Sequence, residues 1–448
     1  MSSDCSRREF LKKGAAIAGA AGLSGLLKGP YVMAQPAKTD KLRVAVVGAG
    51  GMGGYSVDCA LQENLVALCD IDENTIASVM RDKVKDQAKP KIYYDYRKML
   101  DESGKNIDVV LVATPDHNHA PAAIRAIDAG KHVFCQKPLA YDIYECDALA
   151  KAARRKKVLT QMGNQGYCGE SIRRVAEYIQ SGAIGDVVET HTCLGRNFGG
   201  SGGRPPSKPV PPGVHWNEWI GPAPYREYHD NLHPFNWRNW RAFGTGTIGD
   251  MACHHVAVPF MALRLWEVPH FTVECINTSG GSEEMYPQDN IVCYHIPARP
   301  GIPAFKMYVY DHQELTPAIW KDTEKSEGRQ FGEFTLFVGT KGMIGSDSIL
   351  IPSSKHEEYP APPKTLPRAH APGPIEELFW CIRNGGKPVS NFPEAAAPLT
   401  IIALTGHLAQ FEGKGSKIEW DMRKLTCTNN KDANQYIRRN QYRKGWEV

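Results

Sequence analysis

The sequence predicts an α/β protein, with a parallel, doubly wound sheet at the front and a second α/β domain behind it. Two observations predict the first sheet. Short apolar, β-rich runs alternate with helical segments from residue 42 to residue 156, and a glycine-rich turn joins the first run to the first helix. A third observation marks the second domain. From residue 187 onward, apolar runs of strand length recur on both sides of a long Gly- and Pro-rich segment.

Taken in order, Leu42 to Val47 is the first strand, and Gly48-Ala49-Gly50-Gly51-Met52-Gly53 leads into a helix that ends near Gln62. Val66 to Cys69 is the second strand, closed by Asp70. Asp108 to Ala113 is a buried strand, and Ala120 to Ala129 is a helix that Gly130 stops. His132 to Cys135 is a strand and Tyr141 to Lys156 a helix. Ligands of such sheets lie beyond the C-terminal ends of the strands. That rule brings three segments to one place: Thr114-Pro115-Asp116-His117-Asn118-His119, Gln136-Lys137-Pro138-Leu139 and Gly163-Asn164-Gln165. Val187 to Arg196 opens the second domain. Residues 199–224 form a Gly- and Pro-rich loop too long for a plain connection, which predicts a functional loop or a subunit contact. Strands follow at 271–276, 291–296, 305–310 and 334–338, then helices at 375–384 and 395–411 after a Pro-rich link. The tail from residue 429 is polar and predicts no element. The domain limits therefore read 1–34, 35–160, 161–428 and 429–448.

Composition narrows the function classes. Of the 448 residues, 42% are hydrophobic and 23% charged, so collagen-like and disordered classes are excluded. The formal net charge is +4, and residues 1–34 alone carry five basic and two acidic side chains. The remainder is close to neutral, so no nucleic acid partner is expected. Those first residues have the order of an export signal: Arg7-Arg8 before Phe10-Leu11-Lys12, an uncharged stretch from Gly14 to Leu27, and Val32-Met33-Ala34 as a small-residue cleavage pattern. The paired arginines resemble the twin-arginine signal. A periplasmic or otherwise exported protein is expected, without a stable membrane anchor after cleavage. Because that route carries folded chains, the 12 cysteines, which include no C-x-x-C pair, are expected to stay reduced.

The glycine turn carries the chemistry of a dinucleotide site. Gly48 permits the tight turn, Gly50 lets a pyrophosphate approach the backbone, and Gly53 lets helix and strand pack closely. The helix N-terminus presents its unpaired N–H groups to phosphate. Asp70, 22 residues after Gly48, can accept hydrogen bonds from ribose hydroxyls and repel a 2′-phosphate, which favours NAD over NADP.

The joint pattern resembles the Gfo/Idh/MocA oxidoreductase family. It consists of the glycine fingerprint, Thr-Pro-x-x-x-His at Thr114 to His119, Ala-Gly-Lys-His-Val before x-Lys-Pro-Leu, and Gly-x-x-x-Asp-x-x-x-His at Gly246 to His254. The resemblance implies an N-terminal Rossmann domain and a C-terminal α/β domain with an open, mostly antiparallel sheet, through which a homo-oligomer is expected. It implies that Lys137 bridges the nicotinamide ribose and the reacting hydroxyl, that His254 exchanges the hydroxyl proton, and that Asp250 lines the same pocket. Spacing agrees on the last point, since i and i+4 share a helix face. The cofactor contacts expected are Gly48, Gly50, Met52, Gly53, Asp70, Thr114, Pro115, Asp116, His119, Gln136, Lys137 and Gln165. Two departures stand out. Gln136 replaces the usual Glu before Lys-Pro, and Ala257 replaces an Asp that many relatives carry three residues after the histidine.

Substrate contacts are expected from Asn164, Arg196, Trp237, Arg238 and Trp240, because indole faces together with hydrogen-bonding groups suit a carbohydrate or polyol. The same tryptophans also suit a second reading, in which they glue the long loop to the body. No metal is expected, since no H-E-x-x-H is present and His254 and His255 point different ways on a helix. The expected activity is hydride transfer between a sugar hydroxyl carbon and a tightly held NAD. The alternatives are a redox-neutral, NAD-dependent glycoside hydrolase or lyase and an inactive carbohydrate-binding protein.

Overall fold

The computed structural model describes residues 41–448, so the expected export signal and cleavage pattern lie outside the described residues. The first sheet holds six strands: β1 (Arg43–Val47), β2 (Asn64–Cys69), β3 (Lys91–Tyr93), β4 (Val109–Val112), β5 (His132–Cys135) and β6 (Thr160–Met162). Their order is β3-β2-β1-β4-β5-β6, and every pairing is parallel. The order reverses between β1 and β4, which opens a crevice at their C-terminal ends. Strands buried on both faces read as continuous apolar runs rather than alternating ones. Accordingly all four residues of β4, Val-Val-Leu-Val, are buried.

Each face of this sheet has its own cover. Val44, Val46, Leu68, Val109, Leu111 and Phe134 pack against helices Gly53–Gln62, Glu73–Val79 and Pro374–Asn384. Ala45, Val47, Ala67, Val110, Val112 and Val133 pack against Tyr96–Ser103, His119–Asp128 and Ile143–Lys156. A fully buried Val or Leu contributes roughly 1.5–3 kcal/mol, so the two faces together dominate this domain. The chain thus returns from the second domain to complete the first, through Ile375, Leu378 and Phe379. The boundary expected at residue 160 falls on the first residue of β6, which closes the parallel sheet.

The second sheet holds nine strands. They are β7 (Val187–Cys193), β8 (His270–Asn277), β9 (Ile291–Ile296), β10 (Phe305–Tyr310), β11 (Phe334–Gly339), β12 (Met343–Gly345), β13 (Leu350–Ile351), β14 (Lys417–Asp421) and β15 (Thr426–Cys427). Their order is β13-β12-β11-β7-β10-β9-β8-β14-β15. Only β7 and β10 pair in parallel, so the sheet is mostly antiparallel. Helices Gly246–His255 and Ala397–Glu412 lie between the two sheets, and the second is buried almost all round. The 11 cysteines among the described residues are free and buried.

Candidate active site

One cleft of about 1170 Å³ runs over the C-terminal ends of the parallel strands and down to the second domain. It is lined at one end by Asp70, Ile71 and Thr75, in the middle by the glycine loop and the Thr114 turn, and at the other end by Lys137, Asp250 and His254.

The glycine loop is shaped by backbone demands. A Cβ on Gly48, whose φ is +85°, would lie 2.5 Å from the Ala113 carbonyl oxygen, and one on Gly53 would lie 2.1 Å from that of Gly48. These glycines let β1, β4 and the first helix meet. Gly50 meets only the Thr75 side chain at 3.3 Å, and Gly51 meets nothing within 4 Å, so the backbone there is open to a close-lying group. Asp70 ties the loop to β2. Its Oδ2 accepts from Ala49 N–H at 2.7 Å and from Gly50 N–H at 3.4 Å, and its Oδ1 accepts from Asp72 N–H at 3.0 Å. Burial pushes this carboxyl up, against the pull of those backbone bonds.

At the inner end, helix Gly246–His255 sets Asp250 and His254 one turn apart on the cleft side. A Cβ on Gly249 would meet Leu404 at 3.3 Å, so the helix lies close against Ala397–Glu412. Lys137 Nζ donates to the Asp250 carbonyl at 2.9 Å and lies 3.0 Å from Asp250 Oδ2. Arg238 Nε donates to Asp250 Oδ1 at 3.3 Å. Burial works against a charged Asp250, yet Lys137 and Arg238 hold its carboxyl below the ordinary value. Asp116, fully buried, accepts from Thr245 Oγ1 at 2.6 Å. Burial first, then the nearby Asp250 charge, pushes Asp116 up to about 7. Burial, then Lys137 and His255, pushes His254 down to about 3, so its ring is neutral at neutral pH.

Most of the expected site residues line this cleft: Gly48, Gly50, Met52, Asp70, Thr114, Pro115, Asp116, His119, Gln136, Lys137, Gln165, Arg196, Trp237, Arg238, Asp250 and His254. Three do not, and a fourth, His119, has a structural task as well. Gly53 lies beneath the loop as a packing residue. Asn164 is fully buried behind the cleft, where its amide donates to the Cys253 carbonyl and holds the site helix. Trp240 is 1% exposed and sits in the loop's own core with Trp216, Trp219 and Phe243, its indole N–H donating to the Asn231 carbonyl at 2.7 Å. It is loop glue, not a substrate contact. His119 has both ring nitrogens on backbone carbonyls, Pro138 at 2.7 Å and Thr114 at 2.8 Å. A neutral ring donates to only one of the two, so His119 braces the turn through a single N–H, and it still lines the cleft.

The sequence reading missed other members. Glu333, just before β11, takes an ion pair from Arg196 and lies 3.6 Å from His255 Nε2. Phe235 and Trp237 sandwich the Arg238 guanidinium at 4.4 and 4.2 Å. Tyr94, Tyr96 and the tail's Trp446 wall the outer end. The Arg196–Glu333 and Tyr96–Trp446 contacts join segments more than a hundred residues apart and leave no local pattern.

The residues present fit a bound dinucleotide. The open backbone at Gly50 and Gly51 leaves room for a pyrophosphate, and Asp70 at the end of β2 and the Thr114 turn line the same cleft. Five buried polar atoms of cleft-lining residues have no hydrogen-bond partner among the described residues: Thr114 Oγ1, Gln136 Nε2, Asn118 Oδ1, Tyr96 Oη and Trp219 Nε1.

Residues 42–164 match a family model described as the oxidoreductase family, NAD-binding Rossmann fold, and residues 169–264 match its C-terminal alpha/beta domain. The chain belongs to the Gfo/Idh/MocA oxidoreductase family. Among curated relatives, a glycosyl hydrolase family 109 protein of Shewanella sp. (strain ANA-3) is 32% identical over 160 residues, 34% of either chain. A levoglucosan dehydrogenase of Pseudarthrobacter phenanthrenivorans is 29% identical over 161 residues, 36% of this chain and 33% of that one. The matched stretch thus spans about a third of each relative. Of solved structures, the WlbA dehydrogenase of Bordetella pertussis in complex with NADH and UDP-GlcNAcA superposes at a TM-score of 0.58 with 16% identity, covering 85% of this chain and 99% of that one. A levoglucosan dehydrogenase in complex with NADH gives 0.54 and 19%, covering 84% and 98%. The Gfo/Idh/MocA architecture therefore extends over most of the chain, beyond the matched stretches of sequence.

Proposed function

We propose that this protein is an NAD-dependent oxidoreductase that moves a hydride between a hydroxyl-bearing carbon of a sugar or sugar derivative and a tightly held nicotinamide. The observation that carries this reading is the meeting of Lys137, Asp250 and His254 at the inner end of the cleft that begins at the glycine loop. The named relatives support it, since one curated relative and one superposed structure are levoglucosan dehydrogenases.

When bound, NAD supplies the hydride acceptor or donor. The chain's own residues manage the proton and the charge. Lys137 Nζ has three N–H groups, and two point at Asp250, at its carbonyl oxygen and its Oδ2. The third is left to bind the substrate hydroxyl oxygen and to stabilise the alkoxide that grows as hydride departs. A ring nitrogen of the neutral His254 accepts the hydroxyl proton. Asp250 offsets the positive charge that His254 then carries, since its carboxylate acts favourably on that ring. Arg238, held between two aromatic rings, and Arg196, held by Glu333, border the place where the sugar's remaining hydroxyls lie. Gly48, Gly50, Met52, Asp70, Thr114, Pro115, Gln136 and Gln165 hold the cofactor.

The proposed location is the periplasm, reached through the twin-arginine signal of residues 1–34, with a homo-oligomer formed through the second sheet. A chain exported already folded would carry its cofactor along, and a second sugar or keto compound taken into the same cleft would be the hydride acceptor that completes the cycle. The glycosyl hydrolase family 109 relatives favour a second reading, in which oxidation, elimination, water addition and reduction cleave a glycosidic bond with no net redox change. The intact Lys137–Asp250–His254 group speaks against an inactive binding protein. The test is native purification followed by nicotinamide absorbance, first alone, then with sugars, then with aryl glycosides. Reduction of bound NAD by a sugar supports the oxidoreductase. Aglycone release without NADH accumulation moves the reading to the hydrolase. Absence of any nicotinamide binding overturns both.

A further inference from the structure

We propose that the C-terminal tail, through Trp446, closes the adenosine end of the cleft and sets how long the dinucleotide stays bound. This rests on the NAD reading above and adds the element that retains the cofactor.

Two segments from outside the parallel sheet roof that end. The first is the long loop. Its Gly213 carbonyl accepts from Glu73 N–H at 2.9 Å, and His215 N–H donates to the Ile71 carbonyl at 2.8 Å. The His215 ring stacks on Tyr94 at 4.2 Å. The loop then turns through helix Trp216–Ile220, whose Glu218 and Trp219 line the cleft.

The second segment is the tail. Arg439 is anchored in the body: its Nε donates to the buried Glu145 at 3.0 Å and its backbone N–H to Asp142 Oδ2 at 2.9 Å. Arg443 Nη1 donates to the Asn217 carbonyl at 3.0 Å and to that of Gly221 at 3.1 Å, so the tail is pinned to the loop. Trp446 then enters the cleft wall. It meets Tyr96 edge-on at 5.5 Å, and the Arg97 guanidinium lies 3.7 Å over its ring. Arg97 Nη1 also donates to the Gly445 carbonyl at 3.3 Å.

The wall at this end is aromatic: Tyr94, Tyr96, Trp219 and Trp446 line it, and their faces give an adenine stacking area. A bound adenine lies beside both segments, so its release is expected to depend on the Trp446 contacts and the Arg443 bonds.

The experiment measures release of NADH from the full-length protein, by fluorescence after dilution into excess NAD. Trp446→Ala is expected to speed release by about 10-fold or more, because losses of this kind fall mainly on dissociation, and Trp446→Phe to restore near-parent retention. Arg443→Gln, which removes the side-chain bonds to Asn217 and Gly221 without emptying the wall, is expected to speed release as well, and it serves if Trp446→Ala does not fold. Retention by the parent with unchanged release in Trp446→Ala and Arg443→Gln overturns the tail's role and leaves the NAD reading standing. A parent chain that binds no NADH overturns both.

Discussion

Lys137 and Asp250 are joined twice, through the ammonium to the carbonyl oxygen at 2.9 Å and to the carboxylate at 3.0 Å, so a residue after β5 and a residue on the second domain's helix form one charged unit. That unit fixes the direction of the third ammonium N–H, and preorganised charge is where much of an enzyme's rate comes from. Lys137→Met, which keeps the apolar stem, and His254→Ala are each expected to lower kcat by about 10²–10⁴-fold while bound NADH remains detectable by fluorescence. Unchanged turnover in both variants would remove the assigned roles.

Asp70 holds the glycine loop as well as lining the end of the cleft proposed for the ribose. Asp70→Ala is expected to weaken NAD binding and to reduce the preference over NADP. It is also expected to lower the stability of the cofactor-free protein by about 1–3 kcal/mol, because the Ala49 and Gly50 N–H groups lose their acceptor. Titrations with NADH and NADPH and a melting curve without cofactor check the two effects separately. An unaltered ratio of NADH to NADPH affinity takes Asp70 out of cofactor selection and leaves it a loop brace.

Trp240 and Arg238 are two residues apart yet take opposite sides of the same turn. Trp240→Ala empties a fully buried indole site and is expected to cost about 3–5 kcal/mol of stability. Arg238→Gln removes one of the two cations on Asp250 and is expected to raise KM for the sugar with a smaller change in melting temperature. Melting curves alongside KM and kcat distinguish them. A raised KM with undiminished stability in Trp240→Ala would restore that indole to the substrate site.

This pair also shows where the sequence was readable. The parallel sheet was legible because both faces are covered, so its strands are unbroken apolar runs such as Val109–Val112. The Lys137, Asp250 and His254 group was legible through the family resemblance, to which helix spacing added that Asp250 and His254 share a face. The partition of the tryptophans was not, since all four belong to one irregular segment with no period to say which side faces inward. Glu333, Tyr96 and Trp446 were invisible for a related reason: they reach the cleft through contacts between distant segments. His119 lines the cleft as expected, and its contact with the Thr114 and Pro138 carbonyls is a second, structural task that the sequence did not show.

Buried histidines give the protein a definite response to acid. Burial pushes His117 and His254 down to about 3, and His119, His191 and His407 down to about 4, from an ordinary value of 6.5. A base whose folded-state pKa is depressed leaves the unfolded chain binding more protons below 6.5. The stability it contributes is therefore present above pH 6.5 and lost as pH falls toward 4, at about 1.4 kcal/mol for each tenfold difference in proton affinity between the folded and unfolded chain. Asp116 runs the other way: with its pKa raised to about 7, its contribution is complete below 3.8 and is lost as pH rises through 7. Asp116 is not alone on that side: burial pushes Glu145 up to about 8 and raises Asp70, Asp142 and Asp311. The parent's melting temperature on acidification is therefore set by two opposed groups of buried side chains. Asp116→Asn removes one member of the acid-stabilised group, so its melting temperature is expected to fall more steeply, or rise less, than the parent's between pH 7 and pH 4. Melting curves of parent and variant across pH 4–8 measure the difference, and a variant whose curve runs parallel to the parent's contradicts the raised value assigned to Asp116.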